Sequence, residues 1–173
     1  MEKGYIQVYT GKGKGKTTAS IGLSVRAAGA GFKVLIAQFM KQGDYSEIKA
    51  LERFSDLITV RQFGAGGWVK GKPSDKEKAR AREGYNLVKE ALSTGSHDVV
   101  VIEEGNLAVK YGLITLEEML GLMEMKPDGT ELIITGRYAA DEVMARADLV
   151  SQIEPVKHYF ADQGVKARVG IEK

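Results

Sequence analysis

A chain of 173 residues, 43% of them hydrophobic and with no long low-complexity tract, has the size of one compact domain that buries roughly two-thirds of its unfolded surface. Twenty-five basic against 23 acidic residues leave a formal charge of +2 with no sustained basic block, which argues against a nucleic-acid partner, and the absence of cysteine excludes disulfides, thiolate metal sites and cysteine nucleophiles. No run approaches the roughly 20 apolar residues of a membrane span and no apolar stretch follows a basic start at the N-terminus, so a soluble, cytoplasmic protein without a membrane partner is expected.

In chain order, the first apolar run covers residues 5–9 and is followed by Thr10-Gly11-Lys12-Gly13-Lys14-Gly15-Lys16-Thr17-Thr18 and a helical stretch that includes Ile21, Leu23, Val25 and Ala27. Further runs rich in Val, Ile and Leu lie at 33–39, 57–61, 98–102, 131–135 and 149–153. Residues 64–73 hold too many glycines for an element interior and read as a loop carrying Trp68, the single tryptophan. Ser74 to Glu77 and Thr115 to Glu118 have capping-box spacing and open helices; in the first, Tyr85, Val88 and Leu92 share one face. Strand-length and helix-length segments therefore alternate. Because Val99 to Ile102 and Leu132 to Ile134 are apolar at consecutive positions, both sheet faces should be covered. A single α/β domain spanning residues 1–173 is predicted, doubly wound around a mainly parallel sheet.

Strand, glycine-lysine loop and helix in that order form a phosphate cradle. Glycines at 11, 13 and 15 would let backbone N–H groups turn inward around phosphate oxygens, and the helix amino end adds partial positive charge. Lys16 would reach the phosphates and Thr17 would ligate Mg²⁺. The usual spacing puts its first glycine where Thr10 stands, so the strict motif is missed and the surrounding elements carry the reading. The alternative is a merely flexible glycine loop, with Lys12 and Lys14 as solvated charges.

The run ending at Ile102 continues into Glu103-Glu104, which puts carboxylates at the carboxyl edge of a strand, where open parallel sheets bind ligands. Thr17, Glu103 and Glu104 could complete a Mg²⁺ set; the alternative is two exposed loop carboxylates. Arg137 follows its strand through Gly136 and could clamp phosphate or form a surface ion pair. Arg26, two to three turns into the first helix, is read as a nucleotide contact or a surface residue. Trp68 is a lid aromatic over a flat ligand or an anchor on the core, and His158 reads as structural.

Taken together, these segments resemble the P-loop-type cob(I)alamin adenosyltransferases, the corrinoid ATP:adenosyltransferase family. The resemblance rests on residues 9–18, on Val100 to Glu104 with Lys110-Tyr111-Gly112-Leu113, on Ile134-Thr135-Gly136-Arg137, and on Pro155-Val156-Lys157-His158 with Gly164-Val165-Lys166-Ala167. The family's own loop also starts Thr-Gly. The resemblance implies a RecA-like P-loop NTPase fold, Mg²⁺, ATP and a reduced corrinoid as substrates, a homodimer, and a flavoprotein as source of the reductant. It further implies Lys16, Glu104 and Arg137 as catalytic residues. Nucleotide and corrinoid contacts would come from Thr10, Gly11, Lys12, Gly13, Lys14, Gly15, Lys16, Thr17, Thr18, Arg26 and Trp68. Glu103 stands where the family usually has Asp, which favours Glu104 for the metal shell. Met40-Lys41-Gln42-Gly43 alters a Lys-Gly pair, and Ala65, Gly66 and Gly67 precede Trp68 where some relatives carry a phenylalanine.

Overall fold

The computed structural model describes residues 1–66 and 71–173. Strand β1 (Ile6–Thr10) runs into the glycine-lysine loop and helix α1 (Lys16–Gly29); β2 (Val34–Phe39) leads through α2 (Ser46–Leu51) and a 3-10 turn (Glu52–Phe54) to β3 (Ile58–Phe63). Helix α3 (Asp75–Thr94) returns the chain to β4 (Val99–Glu103), which is followed by α4 (Gly105–Lys110) and α5 (Leu116–Glu124). Then come β5 (Glu131–Thr135), α6 (Asp141–Arg146), β6 (Leu149–Gln152) and α7 (Tyr159–Gln163). Every apolar run expected as a strand forms one, with ends shifted by at most two residues.

The six strands make one sheet in the order β3-β2-β4-β5-β1-β6, and all of its pairings are parallel, where a mainly parallel sheet was expected. β2, β4 and β5 are buried at every position, which is why their sequences are apolar without alternation. On one face Val34, Ile36, Val99, Val101 and Ile133 pack with Ala27 and Ala28 of α1 and Leu51 of α2. On the other, Leu35, Phe39, Val100, Ile102 and Ile134 pack with Val88 and Leu92 of α3 and Met119 and Leu122 of α5. Helices thus cover both faces, as the doubly wound reading requires.

Helix α1 departs from the expected apolar pattern. Its buried positions are Lys16, Ser20, Ser24, Ala27 and Ala28, while Val25 is exposed. Small side chains let the helix lie close to the sheet, and the two serines are satisfied locally: Ser20 Oγ donates to the Thr17 carbonyl (2.9 Å) and Ser24 Oγ to that of Ser20 (2.8 Å). Both expected capping boxes form, at Ser74 with Glu77 and at Thr115 with Glu118, each stabilising its helix by about 1 kcal/mol.

Strand order decides what meets at the carboxyl edge. With β5 between β1 and β4, and β2 beside β4, the loop after Thr10, the Gly136-Arg137 turn, the Glu103-Glu104 pair and Met40-Lys41 stand side by side. Among the described residues, the non-glycine positions with positive φ are Met40 (57°), Glu104 (56°) and Tyr138 (61°), and each follows the end of one of these strands.

Candidate functional site

The loop is held from outside by the chain that leaves β6. Ile153 N–H donates to the Thr10 carbonyl (2.9 Å), and Gly13 N–H donates to the Ile153 carbonyl (2.7 Å). A Cβ on Gly11 would come within 2.4 Å of the Ile153 oxygen, and one on Gly13 within 2.8 Å. Close backbone approach therefore explains these two glycines, and the Gly13 N–H, expected to turn inward, is spent on Ile153 instead. Gly15 precedes α1 with no side-chain cap and no acid in the first turn, so the amino end of the helix faces the loop uncompensated.

Lys16 is buried inside this loop, its Nζ donating to the carbonyls of Gly11 (2.9 Å) and Gly13 (2.7 Å). Burial, and then the nearby charge of Arg137, pull its ammonium below the ordinary lysine range against the opposing pull of Glu104 and Glu154. Thr10 is buried and its Oγ1 accepts from Ala139 N–H (3.3 Å), tying the loop to the turn after β5. Lys12, Lys14 and Thr18 are exposed. Lys14 pairs with Glu172 (3.7 Å), and Ser46 Oγ donates to the Lys173 carbonyl (2.8 Å), so the C-terminal segment runs from the loop to α2. Lys14, Glu154, Pro155 and His158 line a shallow cavity of about 210 Å³ beside the loop.

The two carboxylates take different roles. Glu103 is fully buried and both of its oxygens are engaged: Gln38 Nε2 donates to Oε2, and Lys41 Nζ donates to Oε1 (2.6 Å). Register creates this arrangement, because Gln62, Gln38 and Glu103 are partners across β3, β2 and β4, and Gln62 Nε2 donates to Gln38 Oε1 (3.0 Å). Glu104 caps α4 in a left-handed conformation, its N–H donating to Thr135 Oγ1 (3.1 Å). Its Oε2 is buried without a hydrogen-bond partner. Burial raises its carboxyl above the usual range; Glu103 adds to this, while Lys41, Lys16 and Arg137 oppose it.

The same ammonium that pairs with Glu103 also donates to Thr17 Oγ1 (3.3 Å). Burial disfavours the Lys41 charge, but the charge and hydrogen bond of Glu103, with Glu104 and Glu47, outweigh it and raise this lysine above its ordinary range. A cation thus already lies between the hydroxyl and the carboxylate singled out as metal donors. The donors are hard oxygens of the kind Mg²⁺ takes together with phosphates and water. Among the described residues no three His, Asp or Glu side chains form a cage of their own.

Lys16, Glu104 and Arg137 are therefore brought together, with Arg137 exposed at the edge. Arg26 is not: it is exposed in the last turn of α1, about 15 Å along the helix from Lys16. His158 caps α7, its Nδ1 accepting from Phe160 N–H (3.3 Å), as its structural reading expects. Trp68 lies outside the described residues. Sequence reasoning missed Gln38, Gln62 and the position of Lys41. The signal for the first two was faint: a polar residue near the end of each of two neighbouring apolar strands.

The family profile described as ATP:corrinoid adenosyltransferase BtuR/CobO/CobP matches residues 2–172. A corrinoid adenosyltransferase of Escherichia coli (strain K12) is 39% identical over 173 residues, covering 99% of this chain and 86% of that protein. The corrinoid adenosyltransferase CobA of Salmonella typhimurium (strain LT2) is 36% identical over 175 residues, with 99% and 86% covered, and a corrinoid adenosyltransferase of a Sinorhizobium species is 33% identical over 174, with 99% and 81% covered. The family's activity is a transferase activity, and both the profile and these relatives span nearly the whole chain around the loop, the carboxylate pair and the arginine turn. The chain belongs to the ATP:corrinoid adenosyltransferase family BtuR/CobO/CobP.

Proposed function

We propose that this protein transfers the 5′-deoxyadenosyl group of ATP to the Co(I) centre of a reduced corrinoid and releases triphosphate. The observation that carries the reading is the meeting of Lys16, Glu104 and Arg137 at one sheet edge within a chain that matches the family from end to end. In this reaction the cobalt lone pair attacks the ribose C5′, the C5′–O bond breaks, and its electron pair leaves with the triphosphate while cobalt becomes Co(III). Because the substrate supplies the nucleophile, no protein base or covalent nucleophile is needed, which suits a chain without cysteine.

The protein's work is then to bind, orient and stabilise a leaving group. Lys16, now held by two loop carbonyls, has an ammonium poorly hydrated and ready to exchange those acceptors for triphosphate oxygens. Arg137 adds a second cation from the neighbouring strand end, and the amino end of α1 adds partial positive charge. Thr17, Glu104 and Glu103 are the residues that would hold Mg²⁺, and the unpartnered Glu104 Oε2 supports that fit. When bound, Mg²⁺ would neutralise charge on the departing triphosphate. Lys12, Lys14 and Thr18 are assigned to the phosphates, and Trp68 is assigned to the corrinoid. A homodimer in the cytoplasm, with a flavoprotein as reductant, completes the reading.

Incubation with ATP, Mg²⁺ and chemically reduced cobalamin should yield a photolabile cobalt–carbon product with one triphosphate per turnover. Orthophosphate release without corrinoid, and no alkylated product, would replace this reading by an ATPase acting at phosphorus.

A further inference from the structure

Lys41 is the feature that the transfer reaction leaves unexplained. Its ammonium is inserted between Thr17 Oγ1 (3.3 Å) and Glu103 Oε1 (2.6 Å), although a lysine in the loop just beyond the end of β2 could have remained in water. The carboxylate cannot turn away, because Gln38 holds its other oxygen and Gln62 in turn holds Gln38. The lysine backbone is fixed as well: Gly64 N–H donates to the Lys41 carbonyl (2.8 Å), and a Cβ on Gly64 would meet that carbonyl at 2.6 Å. Only the side chain has somewhere else to go. It passes over the ring of Tyr45, with Nζ 5.4 Å from the centroid, and Glu47 lies within electrostatic reach on the first turn of α2.

From this geometry we infer that Lys41 is an internal counter-cation that alternates with the divalent metal: the ammonium occupies the place between Thr17 and Glu103, and metal entry expels it toward Tyr45 and Glu47. Lys41 is thus a positioning residue. It keeps the fully buried Glu103 paired when no metal is bound, since an unpaired buried carboxylate is costly. It also lowers the apparent metal affinity, because the ion must displace a charge-assisted hydrogen bond before it can bind. The inference rests on the proposed metal set of Thr17, Glu103 and Glu104.

The test uses the full-length protein at pH 8 with Mn²⁺ and inorganic tripolyphosphate, and reads binding by Mn²⁺ electron paramagnetic resonance and by calorimetry. Lys41→Met, which keeps the stem and removes the charge, should bind Mn²⁺ about tenfold more tightly than wild type, the scale of one charge-assisted hydrogen bond to a buried carboxylate. Its melting temperature should fall without metal and be restored by a larger Mn²⁺-induced rise than in wild type. Lys41→Arg should show no gain in affinity. In the wild-type protein, which guards against a variant that fails to fold, amine acetylation at Lys41 followed by mass spectrometry should become several-fold faster on adding Mn²⁺ and tripolyphosphate. Unchanged or weaker Mn²⁺ binding in Lys41→Met, or protection of Lys41 on metal addition, overturns the inference and leaves the metal site standing. No Mn²⁺ binding by wild type overturns both.

Discussion

Glu104→Gln should make the protein more stable and less active at once. The perturbation removes one negative charge whose Oε2 is buried without a partner, and it keeps the shape of the side chain. Leaving a buried polar group unsatisfied costs about 1–3 kcal/mol and more when the group is charged, and the neutral amide avoids that charged excess. Lys41, Lys16 and Arg137 recover part of this for the carboxylate, so a net gain of about 1 kcal/mol is expected for the amide at neutral pH, or about 2–4 °C in melting temperature for a chain of this size. The sign follows from the raised carboxyl. Relative to its unfolded value of about 4.5, the folded group holds its proton more tightly, so its contribution to stability is fully present below pH 4.5 and is lost as pH rises through the folded value. The advantage of Glu104→Gln should therefore vanish near pH 4 and open progressively above it. Thermal unfolding in EDTA, followed by circular dichroism from pH 4 to pH 8, measures this directly. A variant less stable than wild type at pH 8, or a difference that does not change with pH, would refute the account of Glu104 as a carboxylate held at the expense of stability. The same variant should lose most of its Mg²⁺-dependent activity.

Three further outcomes test the loop and its surroundings. Lys16→Ala should weaken tripolyphosphate binding, read by calorimetry, and lower the transfer rate by about 10²-fold or more, and unchanged kinetics would show that the loop does not hold the leaving group. Gly13→Ala should destabilise the fold by about 1–3 kcal/mol in a denaturant titration, because the added methyl meets the Ile153 backbone at 2.8 Å. Trp68→Ala should raise the KM for corrinoid more than that for ATP in steady-state assays, and equal losses would mark the tryptophan as structural.

Local features of the sequence were the readable ones. The buried strands declare themselves because Val99 to Ile102 and Leu132 to Ile134 must be apolar on both faces, and Ser74 and Thr115 declare their helices because a cap needs its partner only three residues away. The glycine-lysine loop between β1 and α1 was readable for the same reason. What could not be read are consequences of strand order. Gly11 and Gly13 answer to Ile153, some 140 residues away, through the β1–β6 pairing. Glu103 and Glu104, neighbours with the same side chain, diverge because parallel register puts Gln38 beside the first, while the left-handed backbone of the second aims its oxygen at the turn after β5. Lys41 is a common surface residue by type, and only the juxtaposition of β2 and β4 makes it the partner of a buried carboxylate.

The distribution of backbone strain bears on why this edge can hold a site. A non-glycine residue in the left-handed region costs about 1–2 kcal/mol, and here Met40, Glu104 and Tyr138 each sit just beyond a strand that ends at the same place. Such conformations persist only where neighbours over-determine them. At Met40 the packing of Gly64 on Lys41 fixes the turn; at Glu104 the bond from its N–H to Thr135 does so, together with Gly136, where a Cβ would lie 3.2 Å from Glu104 Oε2. Asn106 Nδ2 in turn donates to the Gly136 carbonyl (3.2 Å), joining the start of α4 to the arginine turn. Each strained residue redirects the chain so that the adjoining polar group, Lys41, the Glu104 carboxylate or Arg137, stays at the loop's mouth and does not continue a strand. The apolar layers beneath β2, β4 and β5 supply the stability that offsets this strain, so the positions of these charges are set by the rigid sheet and not by the charges themselves.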